Sequence, residues 1–186
     1  MVDKKTGYLF PEIETAPKQT KRRKPRKESL SQEALKKIQT TKEKQIRLKI
    51  IQGIAKSDVI WANEVLIQAL EDPSEDIRDF IINELGNKEK LDLKLLYKRI
   101  NKSPWYVKTG CLRVLGLKKN VSSVKHIESL INNPNIEVRR TLAKVLGEIG
   151  GKSVLSLLTQ LTKDKSAFVR ASAEKSLLKT SQAKFS

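Results

Sequence analysis

From residue 29 onward, apolar residues return every three or four positions, the spacing that gathers them on one face of a helix, and short polar turns interrupt them at a fixed interval. The interval is close to 31. An apolar residue followed by a basic one occurs as Ile46-Arg47, Ile77-Arg78, Val107-Lys108, Val138-Arg139 and Val169-Arg170, at steps of 31, 30, 31 and 31 residues. Seven residues after each basic residue an apolar one returns (Ile54, Leu85, Leu115, Leu146, Leu177), and in three units a glycine follows it (Gly86, Gly116, Gly147), where a helix is expected to end.

Ahead of the pairs lie the turns Glu71-Asp72-Pro73-Ser74, Lys102-Ser103-Pro104, Asn132-Asn133-Pro134-Asn135 and Lys163-Asp164-Lys165-Ser166. Asp, Asn and Ser cap a following helix, and the residue before a proline resists helical geometry. The pattern predicts five helix pairs. First helices are expected at 29–40, 59–70, 91–101, 121–132 and 152–162, and second helices at 44–56, 75–85, 105–115, 136–146 and 167–179. Helices this short are marginal alone in water, so each pair must bury its apolar face against the next copy. The expectation is an all-α, right-handed α-solenoid of five units, at about 29–56, 59–86, 91–117, 121–149 and 152–179. A disordered basic tail over 1–28 and a disordered end over 181–186 are expected to flank it.

These units resemble HEAT repeats, in the short bacterial form whose second helix opens on Asn-Asp-Pro-x-x-x-Val-Arg and closes on Ala-Leu-Gly. The nearest matches are Glu71-Asp72-Pro73-Ser74-Glu75-Asp76-Ile77-Arg78 and Asn132-Asn133-Pro134-Asn135-Ile136-Glu137-Val138-Arg139, the latter followed by Leu146-Gly147. The resemblance covers about 29–180 and extends to phycobilisome lyase-type proteins, which attach bilins to light-harvesting proteins or remove them. It implies a HEAT-like superhelix in which the conserved-type Asp and Arg form a ladder of hydrogen bonds between units. Carried over by position, Arg47, Asp72, Arg78, Arg139, Asp164 and Arg170 would be ladder residues. Thr41, Lys102 and Asn133 replace the Asp in the first, third and fourth units, and Lys108 replaces Arg in the third, so the ladder is expected to be weakest there.

Charge sharpens the picture without changing the fold. Across 186 residues, 38 Lys and Arg face 21 Asp and Glu, a formal net charge of +17 that favours a polyanionic or acidic partner. Lys21, Arg22, Arg23, Lys24, Arg26 and Lys27 concentrate it in the tail, where Tyr8, Leu9 and Phe10 form an apolar cluster suited to short-motif docking. From Leu93 through Ile127 nine basic residues occur with no acidic one, interleaved with Tyr97, Trp105 and Tyr106. Five residues past the basic residue of the last three pairs stand Arg113, Lys144 and Lys175, which would form a basic column on the concave face, with neighbouring helices about 8 to 10 Å apart. Lys108, Arg140, Trp105 and Tyr106 complete the candidate partner-binding set.

Cys111 and His126 are the only cysteine and histidine, which excludes a Cys/His zinc cluster and leaves a Cys-His dyad only if these two meet. No cofactor is expected. No apolar run reaches the roughly 20 residues that span a bilayer, and no signal peptide opens the chain, so no membrane partner is expected and a cytoplasmic location is, or a nuclear one if the source is eukaryotic. The leading expectation is a non-enzymatic scaffold or adaptor that binds an acidic protein surface or a nucleic-acid backbone. The alternatives are a bilin lyase-like or chaperone-like protein of a light-harvesting system and a DNA-alkylation-repeat type protein. The latter family holds duplex DNA with aromatics and one acidic residue, and no acidic residue lies near Trp105, Tyr106 and Arg113 in the sequence.

Overall fold

The computed structural model of the chain describes residues 27–57 and 59–182. They form a helical solenoid of five pairs. The first helices are α1 (Lys27–Thr40), α3 (Ile60–Gln68), α5 (Leu93–Lys102), α7 (Val124–Ile127) and α9 (Leu155–Leu161). The second helices are α2 (Lys44–Ala55), α4 (Glu75–Asn87), α6 (Trp105–Lys118), α8 (Ile136–Ile149) and α10 (Ala167–Gln182). Packing runs α2 to α4, α4 to α6, α6 to α8 and α8 to α10 in one layer, while α1 packs on α3 and α3 on α5 in the other.

The first helices are less regular than the periodicity predicts. A 3-10 turn, Ala69–Glu71, closes α3, two more (Val121–Ser123 and Glu128–Asn132) flank α7, and Lys152–Val154 leads into α9. The fourth of these segments, expected as one helix, carries Ser122, Ser123, Ser129 and Asn132, whose side chains offer the backbone competing local hydrogen bonds. Ahead of α9 the chain turns through Gly150 and Gly151 at φ of 70° and 84°, a region open to glycine.

Apart from α2, the second helices run longer than expected, and this corrects the reading of the register glycines. Gly86, Gly116 and Gly147 lie inside α4, α6 and α8, not after them. A Cβ there would run into Leu117, Glu148 and Ser176 respectively, each on the next second helix. The glycines permit close approach between units. They do not stop the helices.

The core is the periodic set itself. Ile77, Val107, Val138 and Val169 are fully buried at one register position, whereas Ile46, with no described unit ahead of it, is half exposed. Trp61 is half-buried and packs against the same cluster. The core continues through the seventh-residue positions, where Leu85, Leu115 and Leu146 have no exposed surface. Burial of this kind contributes roughly 1.5–3 kcal/mol per large apolar side chain, so stacking supplies what the isolated helices lack.

Candidate functional site

Four arginines organise the turns between helices. In each, one guanidinium nitrogen donates to two carbonyls of its own unit's turn: Arg47 Nη1 to Thr41 and Lys42 (3.3 and 2.7 Å), Arg78 Nη1 to Asp72 and Pro73 (2.8 and 3.0 Å), Arg139 Nη1 to Asn133 and Pro134 (2.7 and 3.2 Å), and Arg170 Nη1 to Asp164 and Lys165 (2.9 and 3.1 Å). Two of them also reach forward. Arg47 grips Asp72 with Nε and Nη2 at 2.7 and 3.0 Å, and Arg139 grips Asp164 with the same atoms at the same distances. Each carboxylate also accepts from a backbone N–H two residues on, Ser74 or Ser166, at 2.8 Å. The hydrogen bond to Asp72 holds the Arg47 guanidinium above its ordinary pKa, and the bond from Arg139 holds the Asp164 carboxyl below its own.

Between these two bidentate bridges the chain departs from the pattern. Lys102, read from the sequence as the replacement for Asp, is exposed at the end of α5; the buried polar residue at that place is Ser103, whose hydroxyl donates to the Arg99 carbonyl at 2.7 Å. Arg78 has no carboxylate ahead of it, and its guanidinium carbon stands 5.5 Å from the centre of the Tyr106 ring. Lys108, proposed for partner binding, instead donates from its ammonium to the Ile100 carbonyl at 2.8 Å, within its own unit.

Trp105, Tyr106 and Arg113 do come together. They line a shallow groove between α4 and α6 with Glu75, Arg78, Asp79, Ile82, Thr109 and Gly110. Trp105 meets Tyr106 edge to face, ring centres 5.9 Å apart and planes at 89°. Arg113 Nη1 donates to Asp79 Oδ1 at 2.6 Å, with both side chains about half exposed. No acidic residue lies near these three along the sequence, yet the fold supplies Glu75 and Asp79 from the preceding unit. The signal was present in the register. Asp79 follows the second unit's arginine by one residue, on the side of α4 that faces α6.

Of the remaining candidates, Lys144 and Lys175 are exposed on α8 and α10, and neither forms a salt bridge among the described residues. Arg140 is half-buried and its Nη2 pairs with Glu137 Oε2 at 2.8 Å, one turn away. Tyr8, Leu9, Phe10, Lys21, Arg22, Arg23, Lys24 and Arg26 lie outside the described residues, and Lys27 opens α1. Cys111 and His126 do not form a dyad. The cysteine is sealed in the core with its thiol pushed up to about 12 by burial, while His126 lies exposed, stacked on Tyr97 at 4.0 Å between ring centres. Among the described residues no group of three or more His, Cys, Asp or Glu is placed to hold a metal, and no helix is long and apolar enough to cross a membrane.

Residues 93–178 match the family model of HEAT repeats. No curated protein matches the chain. Among solved structures the chain is similar to one from the complex of CpcE and CpcF of phycocyanin lyase from Nostoc sp. PCC7120, with a TM-score of 0.57 and 16% sequence identity over 95% of this chain and 70% of that one. This overturns the expectation that the chain is not an enzyme. That expectation rested on the helical-repeat architecture, and the same architecture serves a lyase. The periodic core, the arginine-centred turns and these two likenesses agree on a HEAT-like repeat fold, one the chain shares with the structure from the CpcE–CpcF complex.

Proposed function

We propose that this protein is a bilin lyase-like or chaperone-like HEAT protein of a light-harvesting system, and that the groove between α4 and α6 receives the anionic, conjugated group. The observation that carries the reading is the composition of that groove: two perpendicular aromatic rings, Trp105 and Tyr106, beside the guanidinium groups of Arg78 and Arg113. A linear tetrapyrrole offers a flat π-system and propionate carboxylates, which such rings and cations complement. Asp79 pairs with Arg113 in the groove, but an exposed pair of this kind contributes only about 0–1 kcal/mol, so an incoming carboxylate can take its place at small cost. Likeness to the CpcE–CpcF fold over nearly the whole chain supports the same reading.

Absorbance of the full chain titrated with a free linear tetrapyrrole tests it. A shifted, saturable visible band is expected, weakened about tenfold or more in Trp105→Ala and in Arg113→Ala, and a spectrum that stays that of the free pigment would refute the reading. A second reading, attraction of an acidic protein or a nucleic-acid backbone, is favoured by the +17 charge and by the exposed Lys144 and Lys175. Oligonucleotide binding would then show log affinity falling with log salt at about −0.7 to −0.9 per phosphate neutralised, and a flat dependence would exclude nucleic acid.

A further inference from the structure

The rim formed by the N-terminal ends of the second helices changes chemistry halfway along the solenoid. In the first two units the opening residues are polar: Lys44 and Gln45 begin α2, ahead of the half-exposed Ile46, Glu75 and Asp76 begin α4, and Lys44 pairs with Asp76. In each of the last three units the rim carries an exposed large apolar side chain, with Glu137 beside the one on α8. Trp105 is the first residue of α6, Ile136 the first of α8 and Phe168 the second of α10, and they remain 49%, 44% and 70% exposed. Since α6 packs on α8 and α8 on α10, these side chains stand on three adjacent helix ends as one strip. Trp105 and Ile136 each stand two residues before the register valine of their unit and Phe168 one before its own. Large apolar side chains exposed singly need no explanation, but three at matching or adjacent positions on neighbouring helix ends mark a surface for a partner.

A second row runs beside the strip. Arg113, Lys144 and Lys175 lie seven or eight residues further along the same helices, about 10–12 Å by the helical rise. Neighbouring helices are about 8 to 10 Å apart, so both rows repeat at that step. On a helical ligand, residues seven apart share a face and stand about 10.5 Å apart, close to this step. On an extended ligand, same-face residues recur at about 6.6 Å and fall out of phase.

We infer that this strip docks an amphipathic helix of a partner protein, its apolar side chains at heptad spacing on Trp105, Ile136 and Phe168 and its acidic flank along Lys144 and Lys175. Charge complementarity fixes the sign of the partner. Neither α6 nor α10 carries an acidic residue in its first turn, so the positive ends of those two helices also face the ligand. The inference shares Trp105 with the bilin reading but is tested apart from it through Ile136 and Phe168, which lie outside the groove between α4 and α6.

Fluorescence anisotropy of the full chain with a labelled peptide of about 18 residues tests it, the peptide bearing Leu at heptad positions and Glu on one flank. A second peptide carries Lys in place of Glu. Saturable binding of the Glu peptide alone is expected. The double variant Ile136→Ser/Phe168→Ser should weaken it about tenfold or more, as should Lys144→Glu/Lys175→Glu, while Leu178→Ser, at an exposed apolar position off the strip, should leave it unchanged. All these side chains are exposed, so circular dichroism should show each variant folded. Equal binding of the Lys peptide, or an affinity indifferent to Ile136→Ser/Phe168→Ser, would overturn the inference. So would an oligothymidylate that binds more tightly than the Glu peptide and ignores the same double variant.

Discussion

Replacing Asp72 by alanine tests how much the two bidentate bridges hold the solenoid together. The Arg47 and Asp72 side chains are 10% and 1% exposed, so the pair is desolvated. The substitution removes two hydrogen bonds at 2.7 and 3.0 Å, together with the bond from the Ser74 N–H, and leaves a buried guanidinium held by the Thr41 and Lys42 carbonyls alone. Breaking a buried pair by removing one partner costs about 3–5 kcal/mol. The two remaining carbonyls place the loss near the lower end, and the vanished turn bond adds about 1 kcal/mol, for about 4 kcal/mol in all. With a urea dependence of about 2 kcal/mol per molar, the unfolding midpoint followed by far-UV circular dichroism should fall by about 2 M. Asp79→Ala, which breaks the half-exposed pair with Arg113, should lower it by about 0.5 M or less. Each unit touches only its neighbours, so hydrogen exchange in Asp72→Ala should accelerate in α1 and α2 first. The double variant Arg47→Met/Asp72→Leu should recover most of the loss, because no charge is left buried. Equal midpoint shifts for Asp72→Ala and Asp79→Ala would refute the assignment of the buried bridge as the stronger tie.

Asp164 gives the pH dependence its sign. Its carboxyl is held below the ordinary value by the hydrogen bond from Arg139, so the folded pKa is depressed; the resulting stabilisation is present above about pH 4, the unfolded value, and is lost as pH falls through the folded one. Urea midpoints followed downward from about pH 6 should therefore drop less steeply in Asp164→Asn than in the parent, and parallel curves would refute the coupling. Cys111, whose thiol is buried and pushed up to about 12, should resist an aromatic disulfide reagent at about pH 8 in the native protein and react within minutes in guanidinium. Native labelling at the rate of a free thiol would contradict its place in the core.

The fold was legible because the core repeats. Ile77, Val107, Val138 and Val169 answer to the same packing need, and a period of 31 records it in the sequence. The glycines were misread because glycine serves two purposes, ending a helix and admitting a neighbour. Leu117 and Ile149, apolar residues beyond Gly116 and Gly147 that lie within α6 and α8, were the overlooked sign that the helices continue. The groove was harder to see because it is assembled across units. Asp79 and Arg113 are 34 residues apart and meet only because α4 and α6 lie side by side, so no window along the chain contains them both.

One missing residue in the third turn accounts for much of what distinguishes the groove. Pro73 and Pro134 stand four residues before the register positions of their units, at Ile77 and Val138, but Pro104 stands only three before Val107. The residue lost is the one at the cap position: Ser74 and Asn135 precede α4 and α8, Asn135 accepting from the Glu137 and Val138 N–H groups, whereas Pro104 itself precedes α6 and has no side-chain acceptor to offer. Aligned on the prolines, the position of Asp72 is taken by Ser103, which is too short to reach across to the preceding unit and bonds within its own. Arg78 thereby loses its forward partner and lies over Tyr106, while Trp105, now opening the helix, projects half exposed from the rim. Drift at the Asp position alone would leave a regular turn lacking one bridge. Here the same shortening that removes the bridge also brings a cation and two aromatic rings to one place, which is why the irregular unit, and not the regular ones, holds the candidate site.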